Sequence, residues 1–206
     1  MTGSPDYYRF VACTSPDCRL RFPGVEGVAC PLCKGQTKLV SDRCSARSPE
    51  LSLKPQRLSL LLDNVRSVFN VGSIFRTADG CGIGTIDLCG ITPTPEHSAM
   101  KKTALGAEKT IAWQHHNNSL DQAEVLLRSG KTLWGLEYTE NSIDLHEAQR
   151  ERMDRDLVLV LGNEVTGVDP GLLALCERTI HIPMRGQKAS LNVATAAGIA
   201  GYALSC

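Results

Sequence analysis

From residue 58 to the end of the chain, short aliphatic runs alternate with segments of helical period, and this alternation restricts the fold more than any other feature. The runs span 58–63 (LSLLLD), 85–91 (TIDLCGI), 110–116 (TIAWQHH), 132–138 (TLWGLEY), 156–162 (DLVLVLG) and 178–184 (RTIHIPM). Most are too uniformly apolar for a sheet with one wet face, so they predict strands buried on both sides. Between them, Val71, Ile74, Phe75 and Ala78 repeat at helical spacing, as do Leu120, Ala123, Val125, Leu126 and Leu127. Strand and helix in turn predict an α/β fold, a mostly parallel sheet flanked by helices. A last apolar segment, SLNVATAAGIAGYALS, opens on Ser190 as a candidate cap and is rich in Ala and Gly. A helix apolar nearly all round has to be covered, by the core or by a second subunit.

The first 50 residues differ. They carry Cys13, Cys18, Cys30, Cys33 and Cys44 with several Gly and Pro and no helical period, and a polar stretch near Ser41–Gln56 reads as a linker. We therefore expect two domains, 1–50 and 51–206. The 206 residues allow one full-sized domain and a small appendage. No apolar run approaches a membrane span, and the first residues lack a secretory pattern, which leads to the expectation of a cytoplasmic protein without a membrane partner.

In a reducing compartment, clustered cysteines read as metal ligands rather than disulfides. Cys13 and Cys18 form a C-x4-C pair, Cys30 and Cys33 a C-x2-C pair, with 11 residues between the pairs. Both spacings suit knuckles that turn two thiolates onto one tetrahedral zinc, giving a zinc-ribbon-like unit whose folding energy comes from the metal. Cys44 stands apart, as a spare thiol or a substitute ligand. Cys81, Cys89, Cys176 and Cys206 lie in apolar surroundings and read as core residues. The ribbon is either a structural cap or an RNA-contacting module presenting Arg9, Arg19, Arg21, Lys34 and Lys38. Net charge decides nothing, because 22 Lys and Arg balance 22 Asp and Glu.

Several familiar chemistries are excluded. Gly80, Gly82 and Gly84 run from a helix into a strand, the reverse of a dinucleotide loop, and read as a helix C-cap and turn. Gly162 and Gly167 have P-loop separation, but Val168 and Asp169 stand where Lys and Ser or Thr are needed. The pair His115 and His116 lies at a strand end, and no nucleophile elbow occurs.

Three polar segments interrupt the apolar pattern where strands end, the place at which α/β sheets bind ligands. They are Asn70-Val-Gly-Ser-Ile-Phe-Arg76, with Asn70 as a candidate helix cap; Leu161-Gly162-Asn-Glu164-Val-Thr-Gly167-Val; and Pro183-Met184-Arg-Gly-Gln-Lys-Ala-Ser190-Leu191-Asn192-Val. Together and in this order they resemble the three motifs of the SpoU/TrmH class of SPOUT RNA 2′-O-ribose methyltransferases, over about 150 residues from Leu58 onward. The resemblance implies a deep trefoil knot around the second and third motifs and a homodimer formed through the knot region. It implies S-adenosylmethionine as cofactor, against Leu161, Gly162, Ile182, Met184 and Leu191. It implies methyl transfer to a ribose 2′-hydroxyl of tRNA or rRNA, with Arg76, Asn70, Glu164, Ser190 and Asn192 as the catalytic set. Arg76 is then either the general base or a phosphate anchor, and the always-protonated guanidinium makes the first role chemically demanding. Lys101, Lys102, Arg66, Arg185 and Lys188 are expected near the RNA. The alternatives are a catalytically silent knotted RNA-binding protein and an RNA base methyltransferase.

Overall fold

The computed structural model describes residues 9–41, 57–151 and 155–205. The chain divides into two compact units, residues 1–52 and 53–206. The expected boundary near Leu51 lies outside the described residues, as do Cys44 and Cys206.

The N-terminal unit is less loop-like than its sequence suggests. Strands β1 (Arg9–Cys13), β2 (Arg21–Gly24) and β3 (Thr37–Ser41) form an antiparallel sheet in the order β2-β1-β3. These strands are only four or five residues long, and β2 carries Pro23 and Gly24, so they give no clear period of two. One face is apolar: Val11 is fully buried and stands opposite Phe22 and Leu39.

The second unit carries a seven-stranded sheet in the order β6-β5-β4-β9-β7-β10-β8. Its strands are β4 (Leu58–Asp63), β5 (Thr85–Cys89), β6 (Ala112–His116), β7 (Thr132–Leu136), β8 (Ile143–Asp144), β9 (Leu157–Leu161) and β10 (Arg178–His181). Every pairing between them is parallel. Each expected run contains its strand; β8, two residues long, is too short to leave a sequence signal.

The central strands are almost wholly apolar, Ser59 and the terminal Asp63 of β4 excepted, because alternate residues feed two cores. Leu58, Leu60 and Leu62 of β4, with Leu157, Leu159 and Leu161 of β9, pack against helices α1 (Val68–Cys81), α4 (Leu145–Glu151) and α6 (Val193–Ser205), together with Ala104 of the one-turn α2 (Lys101–Ala104). Leu61, Val158 and Val160 point the other way, onto α3 (Ser119–Arg128) and α5 (Pro170–Leu175). A strand buried on both faces leaves little room for polar residues, and Ser59 is accommodated by a hydrogen bond from its hydroxyl to the Leu157 carbonyl.

Helix α1 forms as its periodicity predicts, with Val71, Ile74, Phe75 and Ala78 fully buried. It ends at Gly82 in the left-handed conformation (φ 68°), the C-cap read from the glycine cluster. Its N-cap is Ser67 and not Asn70, since the Ser67 side chain accepts from the Asn70 N–H and Asn70 is already helical. In α3 only Ala123 and Leu126 of the apolar set are buried, while Val125 and Leu127 face outward. Helix α6 begins later than expected. Asn192, not Ser190, caps it, its Oδ1 accepting from the N–H groups of Ala194 and Thr195. One face of α6 is buried through Ala197, Ala200, Gly201 and Leu204, and the other exposes Ile199 and Tyr202. Among the described residues no helix is long and apolar enough to cross a membrane.

Leu159 is fully buried at the middle of β9, between β4 and β7. Leu159→Ala is expected to destabilise the protein by about 2–5 kcal/mol, the cost of a core cavity, measured by urea unfolding.

Candidate functional site

Because all pairings are parallel, the carboxyl ends of β4, β9 and β10 lie along one edge of the sheet. Each is followed by one of the polar segments. Strand β9 passes directly into Gly162, where an added Cβ would collide with the backbone of Gly167 and Val168. This is a close approach that only glycine permits. The chain then doubles back, Asn163 and Gly167 exchanging backbone hydrogen bonds of 2.9 and 3.0 Å. The Asn163 side chain holds this loop, Oδ1 accepting from Val165 and Thr166 N–H and Nδ2 donating to the carbonyl of Asn64 at 2.8 Å.

Glu164 links the loop to the start of α1. Its carboxylate accepts from the backbone N–H of Arg66 (2.9 Å) and Ser67 (3.1 Å), groups that precede the helix, and from Asn70 Nδ2 (2.9 Å). A negative charge at a helix N-terminus also meets the positive end of the helix dipole. Partial burial opposes the charge, but the Arg66 N–H, the Asn70 amide and the Ser67 N–H outweigh it and hold the Glu164 pKa below the ordinary carboxyl range. Asn70 in turn accepts at Oδ1 from Asn192 Nδ2 at 3.0 Å. A carboxylate only accepts, so the Asn70 NH2 has to face Glu164 and its carbonyl has to face Asn192. A single chain of hydrogen bonds therefore joins residues from all three segments.

Beside this chain lies a cleft of about 720 Å³, within the range of small-molecule sites. Leu161, Gly162, Ile182, Met184 and Leu191, the five residues expected at a cofactor, all line it, and so do Glu164, Ser190 and Asn192. Asn70 reaches it through its two hydrogen bonds. Arg76 does not line it: it sits six residues further along α1 and is exposed. Arg66, Lys101, Lys102, Arg185 and Lys188 are all exposed as well.

The sequence reading missed Glu137, Tyr138 and His181 in this cleft. Glu137 Oε1 accepts from the Tyr138 N–H (2.9 Å) and Oε2 from the Val168 N–H (3.2 Å), and its carboxylate occupies the space that a side chain on Gly167 (φ 74°) would need. The Tyr138 ring meets His181 edge-on, centroids 5.3 Å apart, and His181 Nδ1 lies 3.0 Å from Ser142 Oγ. The strand-end rule applied to β7 and β10 would have found them, because Glu137 follows Leu136 and His181 ends its strand. His115 and His116 do end β6 and have structural partners, the Gly90 carbonyl and the Asp87 carboxylate, each at 3.0 Å.

In the N-terminal unit the sulfur atoms of Cys13, Cys18, Cys30 and Cys33 all lie within 4.8 Å of one another. Cys13 and Cys33 are 3.4 Å apart, Cys18 and Cys30 3.7 Å. Four thiolates about 2.3 Å from one tetrahedral ion would be about 3.8 Å apart, whereas a disulfide needs about 2 Å. The two knuckles share a turn: Arg19 and Lys34, each just after the second cysteine of its pair, have φ of 50° and 63°. The Cys33 N–H pulls the Cys30 thiol down to about 7 against desolvation. The Ser15 N–H draws Cys13 downward, but burial and the neighbouring thiols push it up to about 12. The donor set is all sulfur, which suits zinc and other thiophilic ions.

Residues 57–202 match the sequence model of the SpoU rRNA Methylase family. The chain belongs to this family. The 23S rRNA (guanosine-2′-O-)-methyltransferase RlmB of Acinetobacter baylyi is 33% identical over 152 residues, covering 71% of this chain and 58% of its own length. The tRNA (guanosine(18)-2′-O)-methyltransferase of Escherichia coli K12 is 27% identical over 152 residues, covering 74% of this chain and 64% of its own. The chain thus spans about three fifths of these two relatives. Among solved structures, the A. aeolicus TrmH/SpoU tRNA modifying enzyme superposes with a TM-score of 0.66 at 25% identity, over 74% of this chain and 75% of that one. The cysteine-bearing unit lies outside the SpoU match.

Removing the Glu164 carboxylate hands three exposed donors to water. Glu164→Ala is expected to cost about 1 kcal/mol, the net worth of a typical hydrogen bond. Since its pKa is lowered on folding, the charge contributes stability above the unfolded value of about 4.3 and loses it as pH falls through the folded value. Wild type and Glu164→Gln should therefore converge in stability on acidification below about pH 4, followed by urea unfolding across pH.

Proposed function

We propose that this chain is an S-adenosylmethionine-dependent methyltransferase that modifies a ribose 2′-hydroxyl of tRNA or rRNA, working in the cytoplasm. The observation that carries this reading is the Glu164–Asn70–Asn192 chain bordering a cleft of about 720 Å³. The names of the two curated relatives, both guanosine 2′-O-methyltransferases, support the same chemistry and leave both RNA classes open.

The cleft fits a bent adenosyl cofactor in chemistry as well as volume. Leu161, Ile182, Met184 and Leu191 provide apolar walls, and glycine at position 162 lets the end of β9 pack directly against the backbone of Gly167 and Val168 at the edge of the cleft. S-adenosylmethionine supplies an activated methyl group on a sulfonium. The protein's own task is then to position a weak nucleophile in line with it. Asn70, Asn192 and Glu164 hold the first turn of α1 and the cap of α6 in fixed register, with Ser190 on the cleft wall. Arg76 presents an exposed, permanently charged guanidinium on the same helix as Asn70, suited to anchoring the phosphate of the target nucleotide. The segments 162–168 and 182–193 are those we assign to the knot.

Two further assignments belong to this reading. The four cysteines hold one structural zinc, supported by their sulfur spacing. A second copy of the chain covers the exposed apolar side chains Phe69, Val165, Met184, Leu191, Ile199 and Tyr202, supported by their number around the cleft and α6.

Labelled methyl transfer from S-adenosylmethionine to tRNA and to rRNA, with nuclease digestion and mass spectrometry of the nucleosides, tests the reaction. A 2′-O-methylated nucleoside is expected, and a base-methylated product would overturn the proposal. Arg76→Ala should reduce transfer by at least about 100-fold while cofactor binding, measured by calorimetry, stays unchanged. Plasma emission analysis of protein purified without chelator should find about one zinc per chain; a value near zero would refute the metal assignment. Sedimentation as a monomer at micromolar concentration would refute the dimer.

A further inference from the structure

Among the described residues of the cysteine-bearing unit, the five basic side chains do not share one surface. Arg19 and Lys34 sit at the tips of the two knuckles. Arg9 pairs with Gly24 and lies on the side of the sheet that carries Val11 and Cys13. Arg21 and Lys38 both pair with Ala12, from opposite sides, so these three residues form one row across the sheet on its other side. Phe10 precedes Ala12 by two residues on β1 and therefore shares that side, with Pro23 opposite it on β2. Phe10 is 42% exposed, and Arg21, Pro23 and Lys38 are exposed.

None of the three strands contains Asp or Glu; Asp17 and Glu26 lie in the turns. The face thus offers an aromatic ring on its centre strand, a small alanine two residues further along, and opposite that alanine a basic residue on each neighbouring strand, the strands lying about 4.8 Å apart. A ring held open to water costs hydrophobic stability, and two cations without carboxylates between them attract anions. Unpaired nucleotides satisfy both features at once, because a base stacks on the ring while its phosphates meet the flanking charges. An acidic protein would use the charges and leave the ring without a role.

The geometry points to this sheet face as a docking surface for a single-stranded segment of RNA, with Phe10 stacking a base and Arg21 and Lys38 holding adjacent phosphates. That the RNA is the methylation substrate rests on the function proposed above; the binding itself does not.

The test uses the full chain, purified without chelator, and fluorescein-labelled oligouridine of about 12 nucleotides, with anisotropy read between about 50 and 200 mM salt. Phe10→Ala should weaken binding about 10-fold and Phe10→Trp should retain it. The Arg21→Gln/Lys38→Gln double variant should lessen the salt slope by about 1.4, or about 0.7 for each lost contact to a single strand. In methyl transfer, both weakened variants should raise KM for RNA and leave kcat near that of wild type. Wild-type affinity and slope in every variant would overturn the inference, and with methyl transfer intact it alone would fall. Weakened binding accompanied by loss of bound zinc would overturn it too, as a folding effect. Capture of polyglutamate in place of oligouridine through the same residues would overturn it in favour of an acidic protein partner. Face-dependent oligouridine binding without methyl transfer to either RNA would support it and remove the methyltransferase reading instead.

Discussion

Burial of a parallel sheet on both faces is the constraint from which the remaining architecture follows. Strands that run the same way have to end along the same edge, so whatever follows β4, β9 and β10 is gathered there regardless of distance along the chain. The apolar strands cannot themselves provide polar chemistry, and it falls to the residues just beyond them. The Glu164–Asn70–Asn192 chain is then a local device on a rigid base. Each of its bonds is worth little, but together they leave each amide only one orientation.

The cysteine-bearing unit answers the opposite problem. Its apolar face, Val11 with Phe22 and Leu39, is too small to hold a fold of this size by burial alone. In the zinc assignment proposed above, four thiols within 4.8 Å of one another give it a second means of closure, one set by ligand chemistry rather than by area. A sheet that is held from one side by such a cluster is at liberty to carry an unusual residue such as Phe10 on the other.

How much of this was readable beforehand depended on the range of the signal. The strands and α1 were, because period and apolar content are local and Val71, Ile74, Phe75 and Ala78 repeat without interruption. The five cleft-lining residues and the acid at 164 were found through motif resemblance and strand ends together. The caps were not: Asn70 and Ser190 are good capping residues by type, but Ser67 and Asn192 are the residues that immediately precede the helices, and their local side-chain bonds to the first-turn N–H groups make them the caps. Val125 and Leu127 belong to the apolar set that marks α3 and yet face outward, because helical spacing does not say how far a sheet extends over a helix. Glu137 and His181 end or follow strands but fall outside the three motif segments, and their partners, the Val168 N–H and Ser142, are 31 and 39 residues away, so no local pattern singled them out. Arg76 was expected with the others, and its exposure shows that sharing a motif with Asn70 does not mean sharing a cleft.

The insertion of β9 between β4 and β7 has a temporal side. Leu60 pairs with Leu159, so one edge of β4 finds its neighbour only 99 residues later in the chain, with β10 and α6 still to follow. At about 5–20 residues per second, that edge waits on the order of 5–20 seconds on a nascent chain. Such long-range parallel pairing is intrinsically slow to form. During that interval the LSLLLD strand, wholly apolar but for its serine and terminal aspartate, is a sticky template, and a cell making this protein has to shield it until β9 arrives.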